Sequence, residues 1–242
     1  MKGFKKTTDF ILDLFFPISC LGCNISKNKS RNPQGYLCLD CFKKIEINNW
    51  AFCPKCNKKL ISLEPCKTHK NNPLKILGAA TNYENALIKK IILEYKYNFI
   101  EPLAIPLTEI LKKYYLAVFD QQLTSKKPLV TFIPLYPARY RWRGFNQAEI
   151  LAKKFANDLN LEFNKTLKRK KFKKPQMKIK RYQARFENIK NSFEIIDAGK
   201  IKNKEIILID DIATTGATLM EAAKILKQNG AKKIYGLVIA KG

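Results

Sequence analysis

The 242 residues carry 46 Lys+Arg against 20 Asp+Glu, a formal net charge of +26, with 46% apolar and 11% aromatic residues. That apolar share excludes wholesale disorder. The single histidine, His69, excludes every Ser-His-Asp or Cys-His mechanism that does not use it.

A cationic surplus of this size predicts polyanionic partners (nucleic acid, phosphorylated metabolites or anionic head groups), unless it reflects genome base composition alone. Residues 1–19 form a basic and aromatic lead-in, with Lys2, Lys5 and Lys6 ahead of Phe10, Phe15 and Phe16. The apolar run 10–16 is too short, and is broken by Asp13, for a signal peptide or a spanning helix. Two placements are open for residues 1–17: on an anionic membrane surface, or packed on the module that follows. The expected location is the cytoplasm, with peripheral contact on the inner membrane face as the variant.

All seven cysteines fall within 20–72, an Asn/Lys-rich region with little periodicity. The spacing is Cys20-x2-Cys23, Cys38-x2-Cys41, Cys53-x2-Cys56 and Cys66-x2-His69, so the histidine completes a fourth pair. Eight soft ligands predict two tetrahedral zinc sites. Grouping in chain order gives one site of four cysteines and one of three cysteines with His69. A cross-braced pairing and an empty pair are the alternatives. Four protein ligands leave no open position, so the metals are expected to be structural and to supply most of the module's folding free energy.

From residue 73 to 242 the pattern becomes α/β. Strands are expected at 74–83, 129–133, 205–209 and 233–240, and helices at 84–95, 100–119, 144–159 and 217–228. Alternation of this kind predicts a mainly parallel sheet with helices on both faces. After the 129–133 strand, Arg139, Arg141 and Arg143 precede Gly144-Phe145-Asn146-Gln147, a second anion site at a helix start.

Between 165 and 185 there are eleven cations and no acid. Lys168, Arg169, Lys170, Lys171, Lys173, Lys174 and Arg181 alternate there with Phe172 and Tyr182. The segment reads either as a solvated loop or as an electrostatic track for single-stranded DNA. The 205–209 strand then delivers Asp210 and Asp211, followed by Ile212-Ala213-Thr214-Thr215-Gly216-Ala217-Thr218. A hydroxyl-rich turn entering a helix offers amides and hydroxyls to one phosphate. Adjacent carboxylates beside it imply a ligand with vicinal hydroxyls and a phosphate, such as a ribose 5-phosphate.

This acidic pair and turn resemble the signature of type I phosphoribosyltransferases. Ile133-Pro134-Leu135-Tyr136-Pro137-Ala138-Arg139, Arg143-Gly144-Phe145-Asn146-Gln147-Ala148, Tyr95-Lys96-Tyr97 and Arg185-Phe186-Glu187-Asn188 with Phe193 resemble the ComF (ComFC) family over nearly the whole chain. Shortly after the lysine of the Lys-Tyr element the family shows a glycine, whereas this chain has Asn98-Phe99. The resemblance implies an N-terminal zinc ribbon before a phosphoribosyltransferase-like domain. It also implies phosphoribosyl pyrophosphate with Mg²⁺, held by Asp210 and Asp211 at the ribose hydroxyls and by residues Ala213 to Thr218 at the 5-phosphate. Arg139 and Arg143 would lie on the pyrophosphate side. A role with single-stranded DNA and the DNA-uptake machinery in natural transformation is implied as well; transfer to a nucleobase or amine is the alternative.

Overall fold

The computed structural model describes residues 18–26, 36–61, 64–120, 123, 127–170 and 191–242. The helices are α1 (Leu39–Lys43), α2 (Ala86–Tyr97), α3 (Ala104–Tyr114), α4 (Pro137–Arg143), α5 (Gln147–Asp158) and α6 (Ala217–Gln228). The strands are β1 (Ala51–Phe52), β2 (Lys59–Leu60), β3 (Leu74–Asn82), β4 (Leu129–Phe132), β5 (Glu162–Phe163), β6 (Leu167–Arg169), β7 (Phe193–Ile195), β8 (Glu205–Ala213) and β9 (Lys233–Lys241). Among the described residues, seven strands form one sheet in the order β2-β1-β3-β9-β8-β4-β5. The five from β3 to β5 run parallel.

The sheet's middle is apolar because both faces are covered. β3 and β9 are almost wholly buried, which is why they read as near-continuous apolar runs. One face carries Ile76, Ile207, Ile209 and Leu237 against Ile88, Ile92, Leu107 and Leu151 of α2, α3 and α5. The opposite face packs Leu74, Leu208 and Val238 against Leu219, Ala222 and Leu226 of α6. The mainly parallel α/β architecture expected from the alternation is the one observed.

Three local departures position the site. The acids do not follow a finished strand, since β8 continues to Ala213 and pairs Asp210 with Val238 and Ile212 with Ala240. Its other neighbour β4 stops at Phe132 opposite Ile209, so the carboxylates emerge where β8 outruns β4. Next, the arginine run is helical. Pro137 starts α4 and Gly144, at φ 78°, ends it in the left-handed region that glycine adopts without strain. The stretch expected as one helix over 100–119 also divides into a short 3₁₀ turn, α3 and a wider π-type turn at Tyr115–Phe119.

The cysteine region does not stand apart from the sheet. β1 pairs antiparallel with β2 and also with β3, placing Ala51 opposite Gly78 and Phe52 opposite Leu77. Cys20, Cys38, Cys41 and Cys53 are buried in the same core as α2 and α3. The segment expected to touch a membrane, residues 1–17, lies outside the described residues. No helix among the described residues is long and apolar enough to cross a membrane.

Candidate ligand cleft and metal centres

The eight soft ligands gather into two sets, Cys20/Cys23/Cys38/Cys41 and Cys53/Cys56/Cys66/His69, each with its donor atoms within 4.8 Å of one another. This is the grouping in chain order. Tetrahedral zinc with Zn–S of about 2.3 Å and Zn–N of about 2.05 Å requires S···S near 3.8 Å and S···N near 3.6 Å. Cys23 Sγ and Cys38 Sγ are 3.8 Å apart. His69 Nδ1 stands 3.5 Å from Cys53 Sγ and 3.6 Å from Cys66 Sγ. The donors therefore fit zinc in number, chemistry and spacing. In the first set the amides of Gly22 and Cys38 donate to Cys20 Sγ at 3.4 and 3.3 Å. Burial alone would raise the Cys20 thiol, but these amides, with that of Cys23, bring it down to about 6, favouring the thiolate that binds metal.

A cleft of about 380 Å³ opens at the carboxyl ends of β4 and β8, where open α/β sheets bind ligands. Its floor is Asp210 and Asp211, and one end is the turn with Thr214, Thr215 and Thr218. Ala213, Gly216 and Ala217 line a contiguous recess of about 50 Å³ with the same threonines. Gly216 adopts φ 72° at the start of α6, the left-handed backbone that glycine adopts without strain. The Ala217 amide meets Thr215 Oγ at 3.4 Å, a long contact that yields readily to a phosphate oxygen.

Electrostatics split the cleft. Burial, then the neighbouring Asp211 charge, pushes Asp210 up to about 7 against the pull of Lys96 and Arg169. Lys96 Nζ contacts Asp211 Oδ1 at 2.8 Å. That lysine is aimed by its neighbour: Tyr95 is fully buried, with its hydroxyl donating to the Gln147 carbonyl at 3.1 Å. Fixing Tyr95 in the core turns Lys96 and Tyr97 toward the cleft.

The same cleft carries donors without acceptors. Arg143 donates to Gln147 Oε1 at 2.8 Å, yet Arg143 Nε, Gln147 Nε2 and Arg169 Nε are buried with no protein partner. Orphaned buried donors are costly, and three of them lining one cleft fit an anionic ligand. The helical form of the arginine run explains which arginines take part. Arg139 and Arg143, four residues apart, share the face that lines the cleft, while Arg141 is exposed on another.

Arg169 is the main relocation. Grouped by sequence with the basic track, it ends β6 with its guanidinium 3.9 Å above the Tyr136 ring and 5.0 Å from that of Phe193, and it lines the cleft. Its neighbours Lys168 and Lys170 instead sit on the outer side and flank Glu194 of β7 at 3.0 Å each. Lys171, Phe172, Lys173, Lys174, Arg181 and Tyr182 lie outside the described residues. Sequence reasoning assigned no role to Lys96, Gln147 or Tyr136. For the first two the signal was present in the Lys-Tyr and Asn-Gln elements, but Lys96 meets Asp211 more than 100 residues away, and Gln147 meets Arg143 only once α4 and α5 have formed.

Comparison with known proteins finds two matching domain families. A double zinc ribbon domain family matches residues 11–69, and a phosphoribosyl transferase domain family matches 143–241. The competence protein ComFC of Streptococcus pneumoniae is 30% identical over 214 residues, spanning 86% of this chain and 90% of that protein. The chain belongs to the ComF family. Other members include competence protein F of Haemophilus influenzae, 28% identical over 93% of this chain and 99% of its own. The DNA utilization protein YhgH of Salmonella typhimurium is 24% identical over 82% of this chain and 93% of its own. The α/β domain is of the phosphoribosyltransferase type and the N-terminal region is a double zinc ribbon.

Proposed function

We propose that the cleft of this ComF protein binds phosphoribosyl pyrophosphate together with Mg²⁺, and that the protein handles incoming single-stranded DNA in the cytoplasm during natural transformation. The observation that carries the first half is the triad of orphaned donors on Arg143, Gln147 and Arg169, lining the same cleft as Asp210 and Asp211. In this reading the acids accept the ribose hydroxyls and the amides and hydroxyls of Ala213 to Thr218 enclose the 5-phosphate. The orphaned donors take the pyrophosphate oxygens. Mg²⁺ carried by the ligand supplies charge neutralisation at the diphosphate.

A second reading, transfer of the phosphoribosyl group to a nucleobase or amine, is favoured by the rise of Asp210 to about 7, which suits a group that exchanges a proton near neutral pH. Pyrophosphate release in the presence of such nucleophiles distinguishes it from binding alone.

Titration calorimetry with phosphoribosyl pyrophosphate and Mg²⁺, against ribose 5-phosphate and ATP, tests the pocket. Arg169→Met is expected to weaken phosphoribosyl pyrophosphate at least tenfold and ribose 5-phosphate by less than threefold, because the methionine keeps the packing on Tyr136 and loses the charge. Equal losses for both ligands would remove Arg169 from the pyrophosphate side.

The DNA half rests on the +26 charge and the names of the relatives. Oligothymidylate should bind with log K falling against log salt at a slope of about −3, the value for four or five phosphate contacts. Replacing four lysines of 165–185 with Gln should flatten that slope more than replacing Lys58, Lys59, Lys112 and Lys113. Equal flattening by the two sets would leave only general polyanion attraction.

A further inference from the structure

We infer that the rim of the cleft is a stacking platform for single-stranded nucleic acid, built from Tyr97, Phe99 and Trp142 and interleaved with the α4 arginines. It rests on the DNA half of the proposed function and gives that half a place on the described surface, separate from 165–185.

Three large rings stand in solvent where the end of α2 meets α4. Trp142 is 61% exposed, Tyr97 52% and Phe99 41%. They meet edge-on or tilted, with Phe99 to Trp142 centroids at 5.6 Å and Tyr97 to Trp142 at 6.4 Å. Tilted neighbours leave separate faces open, as successive unpaired bases require. Here Arg143 sits 5.5 Å over Tyr97 and 5.8 Å from Trp142, and Arg139 and Arg141 flank them on α4. Arg141 is exposed, lies outside the cleft lining and is not ion-paired among the described residues, so its charge is free for a nucleic-acid phosphate.

Phe99 is the independent sign that the rings are there to be used. It holds φ at 56°, a left-handed backbone that glycine adopts freely and a bulky side chain adopts at a cost. The ring so presented faces Trp142 and Phe145 at the rim. Strain accepted to present an aromatic residue at the mouth of a cationic cleft points to a ligand with π faces and negative charge. Single-stranded nucleic acid has both.

The test measures anisotropy of a labelled 20-residue oligothymidylate with wild type, Trp142→Ala and Arg141→Gln at three salt concentrations. Because one base–aromatic stack is removed, Trp142→Ala should weaken binding about tenfold with an unchanged salt slope. Arg141→Gln should instead flatten the slope by about 0.7, one phosphate contact. In a Trp50→Phe background, Trp142 is the only remaining tryptophan, and its fluorescence should be quenched on adding oligothymidylate but not duplex of equal length. Trp142→Ala binding within twofold of wild type, or no quenching while wild type binds, overturns the platform and leaves the wider DNA reading standing. No binding by wild type overturns both. Self-association that Trp142→Ala abolishes, without an effect on oligothymidylate, assigns the rim to a second copy of the chain instead.

Discussion

Purified without chelator, the protein is expected to contain two zinc ions per chain and to lose much of its thermal stability when they are removed. Apparent metal-binding free energies of structural zinc sites are about 10–16 kcal/mol each, as large as the whole stability of an ordinary domain. The loss should not be confined to the ribbons. Cys20, Cys38, Cys41 and Cys53 are core residues packed with the helices of the α/β domain, and β1 covers one edge of β3 through the Ala51 and Phe52 pairings. An unfolded ribbon leaves that edge bare, and bare edges aggregate. Chelation should therefore lower the calorimetric midpoint by more than 10 °C and produce irreversible aggregation.

The two sites should also empty in order. In the second set Cys56 is exposed and Cys66 and His69 are half-buried, whereas the first set buries three of its four cysteines. The second zinc should leave first under a chromophoric chelator, and Cys56→Ser should leave one zinc by elemental analysis. Protein with no zinc, or one that loses both without a change in midpoint, contradicts the ribbon assignment.

The parts legible in the sequence are those whose cause is local. β3, β8 and β9 are buried on both faces, so their own residues had to be apolar, and α6 ends where Asn229-Gly230 ends it. Ligand spacing is local too, and the two sets formed as the chain order grouped them. What was not legible depends on partners distant in sequence. β1 and β2 are two residues each, too short for any periodicity; β1 is placed by β3, more than twenty residues later, and β2 by β1. Arg169 is one of eleven cations within 165–185, and only the pairing of β6 with β7 turns it inward while Lys168 and Lys170 turn out to Glu194. Arg139, Arg141 and Arg143 look equivalent at alternate positions of an extended segment. They separate only once Pro137 and Gly144 make that segment a helix.

Removing the acidic pair should abolish phosphoribosyl pyrophosphate binding and leave the fold in place. Asp210 and Asp211 are half-buried in β8, a strand that its backbone pairing to β9 holds in place on both sides of them, through Asp210 opposite Val238 and Ile212 opposite Ala240. Each ionised acceptor lost to a ribose hydroxyl costs about 1.5–3 kcal/mol, so the double change should weaken binding at least a hundredfold. Because Asp210→Ala/Asp211→Ala also leaves Lys96 without its 2.8 Å partner, the isosteric Asp210→Asn/Asp211→Asn serves as the second variant. Stability should move the other way for Asp210→Asn alone. Its carboxyl is raised to about 7 in the folded protein, first by burial and then by Asp211, so folding favours its protonated form. That contribution is complete below the ordinary carboxylate range and disappears as pH rises through about 7. At pH 8 the wild type therefore carries an unfavourable charge that the amide lacks, and Asp210→Asn should melt a few degrees higher. At pH 5 the difference should shrink, since the wild-type carboxyl is then largely protonated. A gain at pH 8 together with a lost isotherm identifies Asp210 as a residue kept for the ligand at the expense of the fold. A double variant that binds as tightly as wild type removes the acids from the pocket altogether.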